Sequence, residues 1–289
     1  MSESSKDLEN GVHKDYASGN GAAPEQQGST SDLSQLLTNN TFSDEQFERM
    51  FLLPRNQGVV GGQRKTFATP TPLAIMGFST GLTPLAAQLI GWRGAGGSGQ
   101  SSVGATIWFG GMLLIFAGLG EFILGNTFPF LVFMGYGAHF LTFGTTFIPA
   151  WNAVSAYTSG SPYTGEAGSQ AITPEFAQSY GFYPLSLCIL SAIFLICSTR
   201  TNLIFFLVFV AATLGFGFAA GSFFQIGNGN MALAANLLVG CGSCFWAAAM
   251  LGWYLLIAMM IPIMELPLPS LPIVDLSTIV KPRKRKMVV

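Results

Sequence analysis

The chain has 289 residues, of which 50% are hydrophobic and only 9% are charged. Because an ordinary soluble domain carries roughly 25% charged residues, this composition excludes a soluble globular protein and indicates an integral membrane protein. The formal net charge of −1 conceals a strong segregation of charge towards the two ends of the chain. Between Pro70 and Pro262 the formal charges are Arg93, Glu121, Glu166, Glu175 and Arg200.

The N-terminal region is polar. Residues 1–40 are rich in Ser, Gly, Asn, Gln and Glu without an apolar period, so a disordered tail is predicted. The same region lacks the apolar stretch of a secretory signal. In the juxtamembrane segment 41–66, Ser43 and Gln46 have the spacing of a capping box, and apolar residues follow at helical spacing. A short amphipathic helix is therefore predicted in this segment.

Six apolar segments predict an all-α membrane domain over residues 67–262. They cover residues 71–92, 103–124, 128–149, 182–198, 203–224 and 232–261. Most of them reach the ~20 residues that an α-helix needs to cross the hydrocarbon core. Their apolar runs do not alternate, which excludes a transmembrane β-barrel.

The distribution of Lys and Arg predicts the orientation. Basic residues precede the first span, a basic cluster lies at 281–286, and Arg200 falls on the same side of the membrane. Only Arg93 falls on the opposite side. The positive-inside rule therefore places the N-terminal region and the C-terminal tail, residues 263–289, in the cytoplasm. The basic cluster either anchors this topology or contacts anionic lipid.

The mouth of the first span is a candidate entrance for a substrate. It is formed by Thr69, Pro70, Thr71, Pro72 and Leu73. Two prolines in a first helical turn cost no hydrogen bonds, since the N–H groups of that turn have no helical partners. The remaining free amides and the positive end of the helix dipole attract anions. The alternative is an ordinary helix that starts with proline.

Polar residues concentrate around the second and third spans. Glu121 is a functional-site hypothesis, because a carboxylate in a membrane helix is costly unless it is paired, protonated or hydrated. Asn126 and Thr127 are spaced to cap the third span or to bind Glu121. Tyr136 and His139 share one face of the third span. A polar junction with a proton site is predicted at Glu121, Asn126, Thr127 and His139, with a packed neutral imidazole as the alternative for His139.

Several motifs resemble those of the acetate uptake transporter family, which includes the bacterial YaaH-type acetate/succinate permeases and their fungal relatives. Residues 69–78, TPTPLAIMGF, resemble its N-P-x-P-L-G-L-x-x-F signature. Residues 109–111, 116–118 and 125–128, together with Glu121, resemble its Y-G-G…A-G…E…G-N-T-F block. Order and spacing match from about 67 to 262, and the long polar N-terminal tail resembles the fungal branch.

The resemblance implies a six-helix protomer in a ring-shaped homohexamer of the plasma membrane. Each protomer would have its own pathway for monocarboxylates such as acetate, with succinate as a further candidate. The family's constriction implies Phe78 in the first span and Tyr136 in the third. Its leucine in the fifth span has no certain counterpart: the position falls at Ala211 or Ala212, with Leu214 close by. A pathway wider than usual is therefore expected.

Departures from the family pattern affect the expected substrate. Thr69 replaces an asparagine, Ala74 a glycine and Leu114 a glutamine, and His139 stands where an aromatic is usual. Since these positions lie on the presumed path, a small carboxylate is a firmer expectation than acetate itself. The hypothesis is a transporter or channel for small monocarboxylates, with proton coupling left open. The alternatives are a membrane sensor of carbon metabolism with little flux and ammonium export.

Other functional classes find little support in the sequence. The spans hold one His, one interior carboxylate and no ligand-spaced cluster, so neither an enzyme nor a metal site nor a cofactor is expected. No Gly-rich phosphate loop lies between a strand and a helix, so nucleic acid is not an expected partner. The expected partners are a small carboxylate, the lipid bilayer and further copies of the chain.

Overall fold

The computed structural model describes residues 67–151, 153–157 and 172–276. The predicted tail 1–40, the predicted amphipathic helix in 41–66 and the basic cluster 281–286 lie outside the described residues. Six long helices are present in the described part: α1 (Thr71–Ile90), α2 (Gln100–Ile123), α3 (Thr127–Thr146), α4 (Pro174–Ser198), α5 (Leu203–Gly227) and α6 (Met231–Ile263).

Five of these helices, α1, α2, α4, α5 and α6, are long and apolar enough to cross a membrane. The protein is therefore a multi-pass membrane protein, and the prediction of an all-α membrane fold is confirmed for the described residues. The helix α3 also has 20 residues. Tyr136, His139 and several threonines lower its mean hydropathy, so its crossing of the membrane stays a prediction.

The helix α4 starts at Pro174 rather than at the predicted residue 182. Thr173 occupies the N-cap, and its Oγ1 accepts a hydrogen bond from the Phe176 N–H at 3.2 Å. Pro174 suits the first helical position, where its missing N–H costs nothing. The sequence Thr-Pro-Glu therefore carried a start signal that the apolar run alone does not show.

The middle of α2 is a π-helix, Thr106–Leu113, which the sequence reasoning did not predict. It brings Gly110 against both neighbouring helices. A Cβ added at Gly110 would meet the ring of Phe140 on α3 at 2.6 Å, and one added at Gly81 on α1 would meet the Gly110 backbone at 2.9 Å. Small residues thus let α1, α2 and α3 approach at backbone distance.

The helices follow a simple order in space. The closest backbone approaches join α4 to α5, α5 to α6, α6 to α1, α1 to α2 and α2 to α3. Aromatic side chains bridge the remaining space between α3 and α4. The ring centroids of Tyr136 and Phe194 are 6.0 Å apart, and those of Phe147 and Tyr180 are 5.5 Å apart. This bridged space, together with α1, α5 and α6, contains the candidate site.

Residues 264–276, here named the C-terminal strap, lie against the bundle. The strap pairs with the turn before α5, where Asn202 and Asp275 form an antiparallel bridge. The Leu203 N–H donates to the Val274 carbonyl, and the Leu276 N–H donates to the Thr201 carbonyl, both at 2.8 Å. The predicted boundary between a membrane domain ending at 262 and a separate tail thus divides residues that are in contact.

Candidate pathway through the bundle

Three cavities follow one another along the described bundle. The vestibule, of about 270 Å³, lies where α1 ends and is lined by Leu85, His139, Tyr180, Tyr183 and Phe216 among others. The middle cavity measures about 30 Å³, and the cavity at the opposite end, near Thr71, measures about 10 Å³. The two small cavities share Val132, Phe133, Phe205 and Phe209 as lining residues.

Aromatic rings separate the vestibule from the middle cavity. Tyr136 lines the middle cavity, Phe216 lines the vestibule, and their rings stack with centroids 6.3 Å apart and planes 9° apart. The column continues through Phe209, whose ring centroid is 6.2 Å from that of Tyr136, to Phe205 at a further 6.4 Å. Phe78 lines the middle cavity from α1. The structure therefore brings Phe78 and Tyr136 together at one cavity.

The fifth-span residues suggested by the resemblance do not join this cavity. Leu214 is 53% exposed on the outer side of α5, and Ala211, although half-buried, lines none of the three cavities. Phe209 and Phe216 face inward instead because they are seven residues, about two helical turns, apart on one buried face. These two large rings narrow the space between the vestibule and the middle cavity. That the constriction is wider than is usual in the family stays a prediction.

Tyr136 is held from two sides. Its hydroxyl group is hydrogen-bonded to Ser191 Oγ on α4 at 2.8 Å, and Ser191 is fully buried. Its ring packs against Phe194 on α4 and against Phe209 and Phe216 on α5. A buried tyrosine keeps an apolar body and needs one partner for its hydroxyl, and both conditions are met here. The ring orientation at the narrow point is thus fixed by α4 and α5.

His139 belongs to the vestibule and is separate from the predicted polar junction. Its Nδ1 is hydrogen-bonded to the Tyr183 hydroxyl on α4 at 3.0 Å, and its ring meets that of Phe216 edge-on at 5.0 Å. It stands 13 residues after Asn126, which corresponds to roughly 20 Å along α3. The structure therefore divides the predicted junction, and His139 serves as a packed, hydrogen-bonded wall residue of the vestibule.

Glu121 joins three helices at the other end of the bundle. Its side chain is fully buried. Oε1 accepts a hydrogen bond from Thr71 Oγ1 on α1 at 2.5 Å, and Oε2 accepts one from Asn126 Nδ2 at 2.6 Å. The predicted pairing of Glu121 with Asn126 is present, whereas Thr127 begins α3 with an exposed side chain. The bond to Thr71 links the predicted entrance to the predicted junction.

The candidate entrance offers fewer donors than the sequence suggested. Pro70 and Pro72 have no N–H groups, and the N–H groups of Leu73 and Ala74 bond to the Pro70 carbonyl at 3.0 and 3.3 Å. Thr69, Pro70, Pro72 and Leu73 are half-buried and line none of the three cavities. Of the five predicted entrance residues, Thr71 alone lines a cavity, the one of about 10 Å³.

Comparisons with known proteins identify similar chains. Residues 55–272 match the model of the GPR1/FUN34/yaaH family. The chain is 39% identical over 257 residues to Protein alcS of Aspergillus fumigatus, which covers 88% of this chain and 92% of that protein. It is 26% identical to Ammonia transport outward protein 2 of Saccharomyces cerevisiae, covering 56% of this chain and 52% of the relative.

Two further similarities concern acetate proteins. The chain is 26% identical to Acetate permease A of Emericella nidulans, over 53% of this chain and 49% of that protein. The fold is similar to the structure of the bacterial acetate channel SatP, with a TM-score of 0.53 and 23% sequence identity. That match covers 72% of this chain and 99% of the channel chain. It supports the helical arrangement described above.

Proposed function

The chain belongs to the GPR1/FUN34/yaaH family, and from this membership and the geometry of the bundle we propose that it is a membrane transporter or channel for small monocarboxylates. Acetate is the first candidate substrate, and the dicarboxylate succinate is a further, larger candidate. The observation that carries the proposal is the row of three cavities along the bundle, interrupted by the rings of Tyr136, Phe209 and Phe216. Relatives named as an acetate permease and an acetate channel support it.

The proposed gate is the narrow point between Phe78 and Tyr136. The middle cavity, of about 30 Å³, is much smaller than the vestibule, of about 270 Å³. The stacked rings of Tyr136 and Phe216 lie between the two, so the passage of acetate requires these rings to move. Apolar constrictions of this kind gate channels by excluding water. The described conformation is therefore a closed state in this proposal, with the vestibule open to a ligand.

The charge of the pathway favours a protonated substrate. Among the described lining residues of the three cavities, none has a formal charge at neutral pH. Moving a bare carboxylate through such surroundings is costly, and protonation lowers this cost. Proton-coupled passage is therefore part of the proposal. Glu121 has the role of a structural junction in it, because both carboxylate oxygens accept hydrogen bonds and Glu121 lines none of these cavities.

The proposed organisation extends the five candidate spans to six. Crossing by α3 keeps its polar residues inside the bundle and returns both chain ends to one side, which the basic residues favour as cytoplasmic. Residues 1–40 would form the cytoplasmic tail and 41–66 the juxtamembrane segment. We place the protein in the plasma membrane as a ring of six copies. Large apolar side chains exposed on the outer helix faces, such as Trp108, Phe116, Phe122, Ile189 and Ile196, are available for lipid and for neighbouring copies.

Reconstitution tests the proposal. The purified protein is placed in liposomes, and uptake of labelled acetate is followed with and without an inward proton gradient. We expect uptake above that of empty liposomes, a faster rate with the gradient, and competition by other short acids. Leu214→Ala on the outer face is the matched control and should behave as wild type. Absence of uptake for acetate, propionate, butyrate and succinate alike would remove the transporter proposal.

Ammonia export is the second candidate. It is supported by the similarity to a yeast relative named Ammonia transport outward protein 2, and a pathway without ionised lining groups suits neutral ammonia as well as an undissociated acid. The same liposomes discriminate the two candidates. Release of labelled methylammonium that is faster than from empty liposomes, together with no acetate uptake, would favour ammonia.

A further inference from the structure

We propose that the C-terminal strap is a positioning element that sets the width of the middle cavity, and with it the size of the acid that passes. The inference rests on the proposed function, because it assigns a selectivity role within the same pathway. It concerns the described residues 264–276, which form the first part of the predicted C-terminal tail, residues 263–289.

The strap is fastened to two helices near Thr71. Backbone hydrogen bonds lie on both sides of the bridge between Asn202 and Asp275, where Val274 accepts from Leu203 and Leu276 donates to Thr201. On α6, the Tyr254 hydroxyl donates to the Pro272 carbonyl at 2.9 Å. Backbone pairing fixes the register of the strap relative to the start of α5.

A single layer of side chains separates the strap from the middle cavity. Leu271 and Ile273 pack against a buried cluster that includes Ile75 on α1 and Leu255 on α6. Both Ile75 and Leu255 also line the middle cavity. At the next cavity the link is direct, because Thr201 accepts the Leu276 N–H with its carbonyl and also lines that cavity.

Close packing makes this arrangement sensitive to small changes. Ile75 is 4% and Leu255 is 1% exposed, so both side chains are almost fully enclosed by their neighbours. Protein interiors are dense enough that the loss of one methylene group is felt by the neighbours. With a middle cavity of about 30 Å³, a displacement of these walls by one methyl group changes which acids fit. A loosened strap should therefore relax size selection.

The test compares two variants of Leu276. For each variant, uptake of labelled acetate and of labelled butyrate into liposomes is measured separately. Leu276→Pro removes the N–H group that donates to Thr201, whereas Leu276→Ala shortens the side chain and keeps that N–H. We expect the ratio of butyrate to acetate uptake to rise severalfold in Leu276→Pro, because the walls of the middle cavity are no longer held by the strap. In Leu276→Ala the ratio should stay near the wild-type value.

A graded side-chain series gives a second measurement if Leu276→Pro does not fold. Ile273→Val should raise the ratio slightly and Ile273→Ala more, in the order of the volume removed next to the buried cluster that includes Ile75 and Leu255. A purely structural role of the strap would lower the uptake of both acids together and leave their ratio unchanged. Such a parallel loss would overturn the inference.

An engineered disulfide should restore the attachment of the strap in the Leu276→Pro variant. Asn202 and Asp275 oppose each other without direct backbone bonds, a pairing with Cα atoms about 4.5 Å apart, which lies within disulfide range. Because Asn202 Oδ1 also caps α5 by accepting from the Phe205 N–H, the reference is Asn202→Cys/Asp275→Cys with the native Leu276. The same pair in the Leu276→Pro background should match the selectivity of that reference when oxidised and lose it when reduced. Equal ratios in Leu276→Pro, Leu276→Ala and wild type would overturn the inference while uptake persists. Absence of any uptake by wild type would instead overturn the proposed function.

Discussion

Substitution of Glu121 separates a structural from a proton-carrying role. Glu121→Ala removes the carboxylate that accepts from a buried donor, Thr71 Oγ1, and from a half-buried one, Asn126 Nδ2. An unsatisfied buried group costs about 1–3 kcal/mol, so the loss at Thr71 alone should lower the free energy of unfolding by that amount. For a protein of this size 1 kcal/mol corresponds to about 2–4 °C. We therefore expect the melting temperature in detergent to drop by at least about 2 °C.

Glu121→Gln is the second variant, and it distinguishes a structural role of Glu121 from a proton-carrying one. Glutamine has the same shape, and the hydroxyl group of Thr71 can rotate to accept from its amide, so most of the junction is kept. A structural role predicts that Glu121→Gln takes up acetate and responds to an inward proton gradient like wild type. The assay is uptake in liposomes with and without the gradient, on samples whose melting temperature has been measured. A stable Glu121→Gln variant that has lost the response to the gradient would refute the structural role.

A double-mutant cycle tests the link between Glu121 and α1. Thr71→Val removes the hydroxyl donor at nearly constant volume. If the hydrogen bond between the two residues is direct, the effects of Thr71→Val and Glu121→Ala on the free energy of unfolding should not add, since contacting residues couple by 0.5–3 kcal/mol. Additive effects would show that the two side chains act independently, against the junction described above.

Two further predictions use matched pairs of residues. Gly110→Ala should lower the free energy of unfolding by about 1–3 kcal/mol, because its Cβ would meet the Phe140 ring at 2.6 Å, whereas Gly104→Ala, with open space around the added Cβ, should not. Similar melting temperatures for both variants would contradict the close packing of α2 on α3. Phe209→Leu should widen the middle cavity and raise butyrate uptake relative to acetate, and Leu214→Ala on the outer face of α5 should leave the ratio unchanged; a shift only in Leu214→Ala would place the pathway elsewhere.

Much of the helical framework could be predicted because its signals are local. Apolar runs locate the helices within a few residues, and a buried carboxylate such as Glu121 must find partners near in space. The π-helix in α2 could not be predicted, since it depends on how closely α1 and α3 approach Gly110. The start of α4 was missed for a different reason: its first turn is polar and leaves the apolar run, although Thr173 and Pro174 mark it.

The candidate site was anticipated only through the resemblance. Tyr136 and Phe78 both line the middle cavity, and their role as a constriction stays a prediction. The α5 side of that cavity was missed because the assignment followed an aligned position and not the helical face shared by Phe209 and Phe216. The contact of the strap with the bundle could not be predicted, because it pairs residues about 70 positions apart. A short extended segment carries no local sequence signal for such a pairing.

The spacing of the helices indicates how the proposed pathway would open. Backbones pack closely between all sequential neighbours except α3 and α4, which side chains bridge. Swinging the Tyr136 ring aside breaks the bond to Ser191, worth about 0.5–1.5 kcal/mol, and the contacts with neighbouring rings, each worth about 0.5–1.5 kcal/mol. The total is a few kcal/mol, whereas separating two packed helices would expose many buried side chains at about 1.5–3 kcal/mol each. We therefore expect a rotation of side chains between α3, α4 and α5 to open the gate while the helical framework stays in place.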